Sequence, residues 1–169
     1  NKITRFYQVD FLPALDWNFD GDLLGASVFL GSVQQWSNFW MSSTAINAYP
    51  ERDSDALTRG GPVARTPGGG SISQWIGTDQ RKPYQGNLNF TYSRNARGGW
   101  GVNQGVGLTF RPSTAMEVQL GPSYNRTHAV AQYVRTVADP TAERTYGRRY
   151  VFSDLDQTTL GMNTRLSWT

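Results

Sequence analysis

Apolar and polar residues alternate along much of this chain, most clearly between residues 158 and 169. The even positions there are mostly apolar and end on Trp168, whereas the odd positions include Asn163 and Arg165. Successive side chains of an extended strand point to opposite faces, so the segment predicts a strand with one apolar and one polar face. The same alternation recurs at 84–93, 100–110 and 116–125. About 9–11 such residues suffice for a tilted strand to cross a bilayer, with aromatic residues at its ends.

Parity divides the side chains of these segments into two predicted surfaces. The apolar set is expected to face lipid: Leu88, Phe90, Tyr92, Trp100, Val106, Leu108, Phe110, Val118, Leu120, Tyr124, Leu160, Met162, Leu166 and Trp168. The polar set is expected to face a lumen: Asn87, Asn89, Asn103, Glu117, Gln119, Asn163 and Arg165, joined by Gln85 and Asn125 if eight strands close. Glu117 and Arg165 have the same parity on adjoining strands. We therefore expect an ion pair or a water-bridged contact between them, because a charge inside a barrel must be paired or solvated.

The first half of the chain alternates less regularly. Residues 9–17 have an apolar odd face in which Pro13 suggests an edge or a bulge. Asp20-Gly21 predicts a hairpin turn. Further segments complete the predicted sequence of elements: a strand at 24–31, a turn at 34–38, a strand at 39–48, a weak strand at 72–78 with Trp75 out of phase, turns at 80–83, 94–99 and 111–114, and a protruding hairpin at 131–137 and 143–152.

These elements predict an all-β fold, an antiparallel meander of about eight strands that forms a transmembrane β-barrel or part of a larger barrel wall. Residues 1–169 form one domain, and 47–71 form a long loop rich in proline, glycine and charge that is expected to be extracellular. If 111–114 is a periplasmic turn, the loops at 47–71, 94–99 and 137–142 all lie on the outer side. A water-soluble sheet also alternates, but it needs a second layer to cover its apolar face, and no helix is predicted.

Composition narrows the function classes. Only 17% of the 169 residues are charged, 13% are aromatic, and there is no cysteine, which excludes disulfides and thiolate metal sites. The net charge of +3 comes from scattered arginines, so no nucleic-acid partner is expected. No run of about 18 apolar residues predicts a transmembrane helix, and residues 1–4 already read as a strand rather than a signal peptide.

Candidate chemistry in the long loop is weak. Glu51, Asp53 and Asp55 have the alternating spacing of a calcium site, but the glycine of a calcium loop is absent, which favours a solvated charged loop. Gly68-Gly69-Gly70 lacks the lysine and the helix of a phosphate loop, so it is interpreted as flexible linker.

The remaining titratable residues predict no enzyme. Asp154 and Asp156 share a strand face and are conceivable as a general acid/base pair, although acidic residues above a membrane often have no chemical role. His128 is the single histidine, so a histidine-pair metal site is excluded, and nothing nearby marks it as a catalytic base. No catalytic residue, cofactor or metal is expected.

Several longer motifs resemble a known family. The motifs are 148–169, D-A-L-T-R-G-G-P at 55–62, L-G-P-S-Y-N-R-T-H-A-V-A-Q-Y-V at 120–134 and V-A-D-P-T-A at 137–142. They resemble the C-terminal β-barrel region, of unknown function, of a bacterial family that carries an N-terminal carbohydrate-binding module of the family-9 type. The resemblance implies an outer-membrane location and supplies no catalytic residue. It also predicts that 1–169 is an internal portion of a longer barrel, and because the module is missing here, no glycan role is carried over.

The leading expectation is thus a non-catalytic outer-membrane barrel, serving as a porin-like channel or as membrane anchor for an extracytoplasmic glycan-binding module. Its partners would be membrane lipid and the remaining strands of a longer barrel or other subunits. The alternative is a structural or assembly protein whose open sheet edges pair with other chains. Pairing of residues 9–17 with 158–168 would favour the closed barrel, whereas two open edges would favour assembly.

Overall fold

The chain folds into β-strands with almost no other regular structure. A computed structural model describes residues 3–21, 23–54 and 56–169. Within them, ten strands and one short 3₁₀-helix are present: β1 Thr4–Trp17, β2 Leu23–Trp36, β3 Met41–Tyr49, β4 Arg52–Ser54, β5 Ala64–Thr66, β6 Gly69–Gly77, β7 Tyr84–Asn95, β8 Trp100–Ser113, β9 Met116–Ala138, the 3₁₀-helix Glu143–Thr145 and β10 Arg148–Trp168.

Eight of the strands form one antiparallel sheet in the order β1-β2-β3-β6-β7-β8-β9-β10, and β4 pairs with β5 in a separate ribbon. Every neighbour in the main sheet is the next long strand along the chain, so the predicted all-β antiparallel meander is confirmed. The sheet is open in this chain, because β1 is paired only with β2 and β10 only with β9. Two unpaired edges therefore flank the eight strands.

Successive connections of a meander lie at opposite ends of the sheet. One end, here called the turn end, carries the connections 37–40, 78–83 and 114–115. The other, the loop end, carries the β1–β2 turn and the connections 50–68, 96–99 and 139–147. The longest connections thus share one end, as the sequence predicted.

Several predicted boundaries are wrong because strand pairing overrides local turn signals. Residues 34–36, predicted as turn, continue β2 opposite β1 and β3. The turn predicted at 111–114 lies at Thr114–Ala115, and a register shift between Phe110 and Ser113 accommodates Pro112, which cannot donate a ladder hydrogen bond. The long loop is not structureless, since it contains β4 and β5 and its last residues begin β6.

The predicted protruding hairpin is present but differs in its bounds. β9 runs unbroken through 23 residues and β10 through 21, whereas 143–145, predicted as strand, form the 3₁₀-helix. β8 reaches only as far as His128 of β9, so 129–138 pair with β10 alone. The hairpin therefore extends beyond the rest of the sheet at the loop end by about 33 Å of strand.

The described residues contain no second layer and almost no core. Ala26 is the one hydrophobic residue among them that is buried. A water-soluble antiparallel sheet covers its apolar face with another sheet or with helices. Here that face has no cover from the described chain itself.

Candidate functional site: the two faces of the sheet

Strand register collects the predicted apolar residues on one surface, here called face A. Directly opposed residues of antiparallel strands share a face. Leu88 lies opposite Val106, Leu108 opposite Leu120, and Val118 opposite both Phe110 and Leu166. The register of the strands, together with the alternation of side chains along each strand, places the remaining members on the same surface: Phe90, Tyr92, Trp100, Tyr124, Leu160, Met162 and Trp168. Exposure is greatest on the edge strand β10, where Leu160 is 79% exposed.

Aromatic rings lie at both ends of the apolar rows of face A. At the turn end, Tyr84 and Phe110 make an edge-to-face contact with ring centroids 6.1 Å apart. At the loop end, the Trp100 indole stacks on the His128 imidazole, with centroids 6.4 Å apart. From Trp100 to Phe110 the strand covers about 33 Å, or about 25 Å in height at a tilt of about 40°.

The Trp100 stack also gathers charged groups at the loop end. The Arg126 guanidinium lies 5.5 Å from the Trp100 ring, and His128 Nδ1 is 3.0 Å from Asp156 Oδ1. Asp154, the candidate partner of Asp156, has no role in this contact. The arrangement holds an imidazole between a ring and a carboxylate at the edge of the sheet, and no serine or threonine hydroxyl hydrogen-bonds to it among the residues described.

Small and amide side chains alternate on the opposite surface, here called face B. The predicted polar residues Asn87, Asn89, Asn103, Glu117, Gln119, Asn163 and Arg165 all lie on it, as do Gln85 and Asn125. Gly107 lies opposite Asn87 and Gly105 opposite Asn89, and each glycine leaves room for the amide beside it. Asn89 Nδ2 donates to Asn103 Oδ1 at 3.3 Å. Face B of this half of the sheet is consequently polar along its whole length.

Glu117 pairs with a different arginine from the one predicted. Its carboxylate accepts hydrogen bonds from Arg111 Nε and from Gln119 Nε2, the latter at 2.7 Å. Arg165 lies opposite Gln119 on the same face, so the predicted register is right, but its side chain forms no ion pair within the described chain. Arg111 was assigned to a turn from the sequence; because β8 continues through Ser113, Arg111 instead lies beside Glu117.

The strands β1, β2, β3 and β6 break the simple division of faces. Phe29, Val33, Met41 and Trp75 lie on face B, and the Trp75 ring packs where a side chain at Gly77 would otherwise stand. Conversely, face A carries five polar residues, here called the polar patch: Ser32, Gln34, Ser42, Thr44 and Gln74. Gln74 lies opposite Phe90, which places the patch on the same face as the apolar rows.

Hydrogen bonds connect the polar patch. Gln34 Nε2 donates to Ser32 Oγ at 2.9 Å, and Ser42 Oγ donates to Gln34 Oε1 at 2.9 Å. Thr44 Oγ1 donates to Gln74 Oε1 at 2.6 Å. The sequence prediction missed this patch because Gln34 was assigned to a turn. The sequence nonetheless contained a signal for the patch, because positions 32, 34, 42, 44 and 74 are all even-numbered and all carry uncharged polar residues.

A cleft of about 790 Å³ opens over the patch at the turn end. The side chains that line it come from the start of β1, the end of β2, the β2–β3 turn, β3 and β6: Ile3, Thr4, Tyr7, Gln34, Trp36, Ser37, Asn38, Trp40, Ser42, Thr44, Gln74 and Ile76. None of these residues is charged. Trp36 Nε1 donates to Ser42 Oγ at 3.1 Å, which fixes one ring at the rim.

A charged cluster joins three segments at the turn end. The Phe39 ring lies between two guanidinium groups, 4.0 Å from that of Arg5 and 3.2 Å from that of Arg81. Arg81 also donates from Nε and Nη2 to the two carboxylate oxygens of Asp79, at 2.9 and 2.8 Å. These hydrogen bonds from Arg81 lower the pKa of the buried Asp79 carboxyl to about 2. Phe39 adopts a positive φ of 66°, which is rare for an aromatic residue, in a turn closed by hydrogen bonds from the Phe39 N–H to the Trp36 carbonyl and from the Trp36 N–H to the Trp40 carbonyl.

The long loop contacts the protruding hairpin at the loop end. The Arg59 guanidinium lies 4.7 Å from the Tyr133 ring, and the Tyr150 hydroxyl occupies the space where a side chain at Gly61 would stand. At the tip of the hairpin, hydrogen bonds from the Thr141 hydroxyl and backbone N–H, and then from Arg149, lower the pKa of Asp139. The loop is thereby fixed onto strands that follow it by more than seventy residues.

The loop carboxylates do not converge on a metal site. Asp53 Oδ1 accepts from Arg65 Nε at 3.3 Å, and Glu51 Oε1 is 3.7 Å from Arg97 Nη2. Asp55, the third candidate calcium ligand, lies outside the described residues. No group of three acidic, histidine or cysteine side chains suited to a metal ion occurs in 3–21, 23–54 and 56–169.

No helix in the described part of the chain is long and apolar enough to span a bilayer. Comparison with known proteins found no matching family model, curated protein or solved structure.

Proposed function

We propose that this chain is a non-catalytic segment of an outer-membrane β-barrel wall, with face A of β7–β10 against lipid and face B towards a polar interior. In this proposal the full-length protein acts as a porin-like channel or as a membrane anchor for an extracytoplasmic glycan-binding module. The resemblance of its motifs to a barrel family agrees with this proposal.

The observation that carries the proposal is the uncovered apolar surface of face A. Burying a Leu or Phe side chain is worth about 1.5–3 kcal/mol, so a surface of exposed and half-buried apolar residues on four adjacent strands calls for an apolar surrounding. Large exposed apolar patches mark interaction or membrane surfaces. At the tilt usual for outer-membrane strands, the distance between the aromatic ends would span the apolar band of about 25 Å that such barrels have.

The polar face supports the same proposal. A lumen tolerates closely spaced amides and glycines because water and neighbouring side chains satisfy them, and such residues fill face B of β7–β10. Alternation of apolar and polar residues about every second position is the pattern expected where lipid and lumen lie on either side of one wall.

Introduced thiols can test the proposal, because the chain has no cysteine. Leu88→Cys and Asn89→Cys are adjacent on β7 but on opposite faces. With an environment-sensitive fluorophore on each, and the full-length protein refolded into vesicles, brominated acyl chains should quench only the label at 88. Iodide in the aqueous phase should not reach that label. Equal iodide quenching at both positions would refute lipid contact by face A.

A second candidate function is assembly through the open edges, and it is the candidate that the absence of pairing between β1 and β10 favours. Both β1 and β10 present unpaired backbone groups, and such edges pair readily with other strands. Phe11→Cys on β1 can be combined with single cysteines along β10, and the oxidised products separated by mass. Cross-links within one chain indicate closure, cross-links between copies indicate assembly, and conductance across planar bilayers then separates a channel from an anchor.

A further inference from the structure

The polar patch and its cleft are not explained by lipid contact. A polar group in hydrocarbon costs several kcal/mol where it lacks a partner, and Gln34 and Gln74 each retain one unused N–H donor. The patch occupies β2, β3 and β6 near the turn end, beside the apolar rows of β7–β10. A polar occupant would satisfy the patch better than acyl chains.

Charge restricts the class of that occupant. The twelve side chains that line the cleft are all uncharged, so it offers no arginine or lysine to a phosphate or carboxylate and no carboxylate to a cation. Anions are recognised in proteins mainly through charge-assisted hydrogen bonds, which this cleft does not supply. The ligand class that remains is neutral and rich in hydrogen-bonding groups.

Unused donors line the cleft. An amide side chain has two N–H donors, and Gln34 and Gln74 each use one, towards Ser32 Oγ and the Trp75 carbonyl respectively. The second donor of each remains for a ligand. Because Ser42 and Thr44 donate to the two amide oxygens, the amides are held with their orientation fixed. The Tyr7 hydroxyl and the Trp40 indole N–H have no partner among the described residues.

Aromatic rings complete the cleft. Tyr7, Trp36 and Trp40 are 62%, 38% and 43% exposed, so their ring faces are accessible rather than packed in a core. Flat rings beside oriented amides and hydroxyls match a pyranose ring, which has apolar C–H faces and hydroxyl edges. The volume of about 790 Å³ lies within the range of small-ligand sites.

We propose that this cleft binds a neutral saccharide, either free or as the headgroup of a glycolipid. The rings of Trp36 and Trp40 stack on the sugar, and the free N–H groups of Gln34 and Gln74 donate to its hydroxyls. The proposal rests on the cleft alone and not on the barrel assignment, so the quenching experiment on Leu88 can fail without affecting it.

The test is a titration of the detergent-solubilised full-length protein, followed by tryptophan fluorescence. The probes are a neutral gluco-oligosaccharide and an oligosaccharide of uronic acids of the same length. We expect a saturable change with the neutral probe and a much weaker one with the charged probe. Equal affinity for the two probes, or no saturable change with either the neutral probe or glycolipid vesicles, would overturn the proposal.

Matched variants locate the site. Trp40→Ala should weaken binding about tenfold because a stacking ring is lost, whereas Trp168→Ala, an exposed ring on face A of β10, should leave the affinity unchanged. Gln74→Leu should weaken binding without removing a ring, and circular dichroism checks that each variant folds. If Trp168→Ala weakens binding as much as Trp40→Ala, the cleft is not the site.

Binding to vesicles distinguishes a free saccharide from the headgroup of a glycolipid. Binding to free oligosaccharide indicates a soluble ligand, and binding only to vesicles that contain a neutral-sugar glycolipid indicates the headgroup. If instead the fluorescence of the cleft tryptophans changes with protein concentration and no probe affects it, a second copy of the chain covers the cleft and the saccharide proposal is wrong.

Discussion

The two halves of this sheet belong to one meander but distribute apolar and polar side chains differently over the two faces. In β7–β10 the faces are divided with few exceptions: apolar rows such as Leu88 and Val106 lie on face A and amides such as Asn89 on face B, although Gln104 lies on face A opposite Phe90. In β1, β2, β3 and β6, polar Gln34 and Gln74 lie on face A, and apolar Phe29 lies on face B. A clean division suits a wall between two uniform media, whereas a mixed one requires specific contacts on both sides. The predictions below test that difference.

The largest expected effect comes from a charge on face A. Leu88→Arg should destabilise the protein in vesicles by about 2–4 kcal/mol, as for arginine at the bilayer midplane, and Asn89→Arg should have little effect. Thr44→Arg, in the polar patch of the other half, should also lower the free energy of unfolding clearly less than Leu88→Arg does. Urea unfolding from lipid vesicles measures all three. Similar losses for Leu88→Arg and Thr44→Arg would remove the distinction between the halves.

Glycines provide the next comparison. A Cβ at Gly69 of β6 would lie 2.5 Å from the Arg94 carbonyl oxygen, which is backbone and cannot move aside. Gly69→Ala should therefore destabilise by about 1–3 kcal/mol, as overpacking does. Gly86 of β7 has its nearest neighbour at 3.7 Å, so Gly86→Ala should be neutral or stabilise by up to about 1 kcal/mol. Chemical denaturation of both variants gives the comparison; a tolerated alanine at 69 would show that β6 and β7 lie further apart.

A smaller effect distinguishes what covers the polar patch. Gln74→Leu alone leaves the Thr44 hydroxyl without its acceptor and should cost about 1 kcal/mol. Removing both partners, with Thr44→Val and Gln74→Leu together, should stabilise the protein in vesicles if acyl chains contact the patch. If a polar ligand covers it, the double variant should gain nothing in vesicles and should lose saccharide binding.

The stability contributed by residues 78–83, which connect the two halves of the sheet, should depend on pH. Asp79 has a folded pKa of about 2, below the value near 4 of an unfolded aspartate. Its contribution to stability is therefore complete above about pH 4 and is lost as the pH falls through 2. The difference in unfolding free energy between wild type and Asp79→Asn should be constant from pH 7 to about 5 and shrink below pH 4. In an Arg81→Gln background this pH dependence should shrink, because the largest cause of the lowered Asp79 pKa is lost while the backbone hydrogen bond from residue 81 and the charge of Lys82 remain. An unchanged pH dependence there would point to another partner.

The sequence predicts the second half far better than the first, for a physical reason. Where apolar and polar residues alternate strictly, parity alone assigns each side chain to a face, and it does so correctly at 84–93, 100–110, 116–125 and 158–168. Trp75 and Gln34 are placed by residues opposite them on neighbouring strands, Asn89 and Ser42, which no local pattern identifies. For the same reason Arg111 was missed as the partner of Glu117, because Pro112 suggested a turn where β8 continues.

For another reason, the sequence could not predict whether the sheet closes or what surrounds it. Parity determines which residues share a face, but the same alternation results whether β1 pairs with β10 or with another strand. The contact of Gly61 with Tyr150 was equally hidden, since no periodicity relates an irregular loop to a strand so distant in sequence.

The protruding hairpin also has a consequence for the order of assembly. β9 and β10 are consecutive strands that pair along almost their whole length, so they can form early with little loss of chain entropy. The loop that carries Arg59 and Gly61 docks on Tyr133 and Tyr150, and it has no surface to dock on until that hairpin exists. We therefore expect the amides of 129–138 to gain protection from hydrogen exchange before those of 56–62 during refolding, so that a segment in the first half of the chain becomes ordered only after one near its C-terminal end.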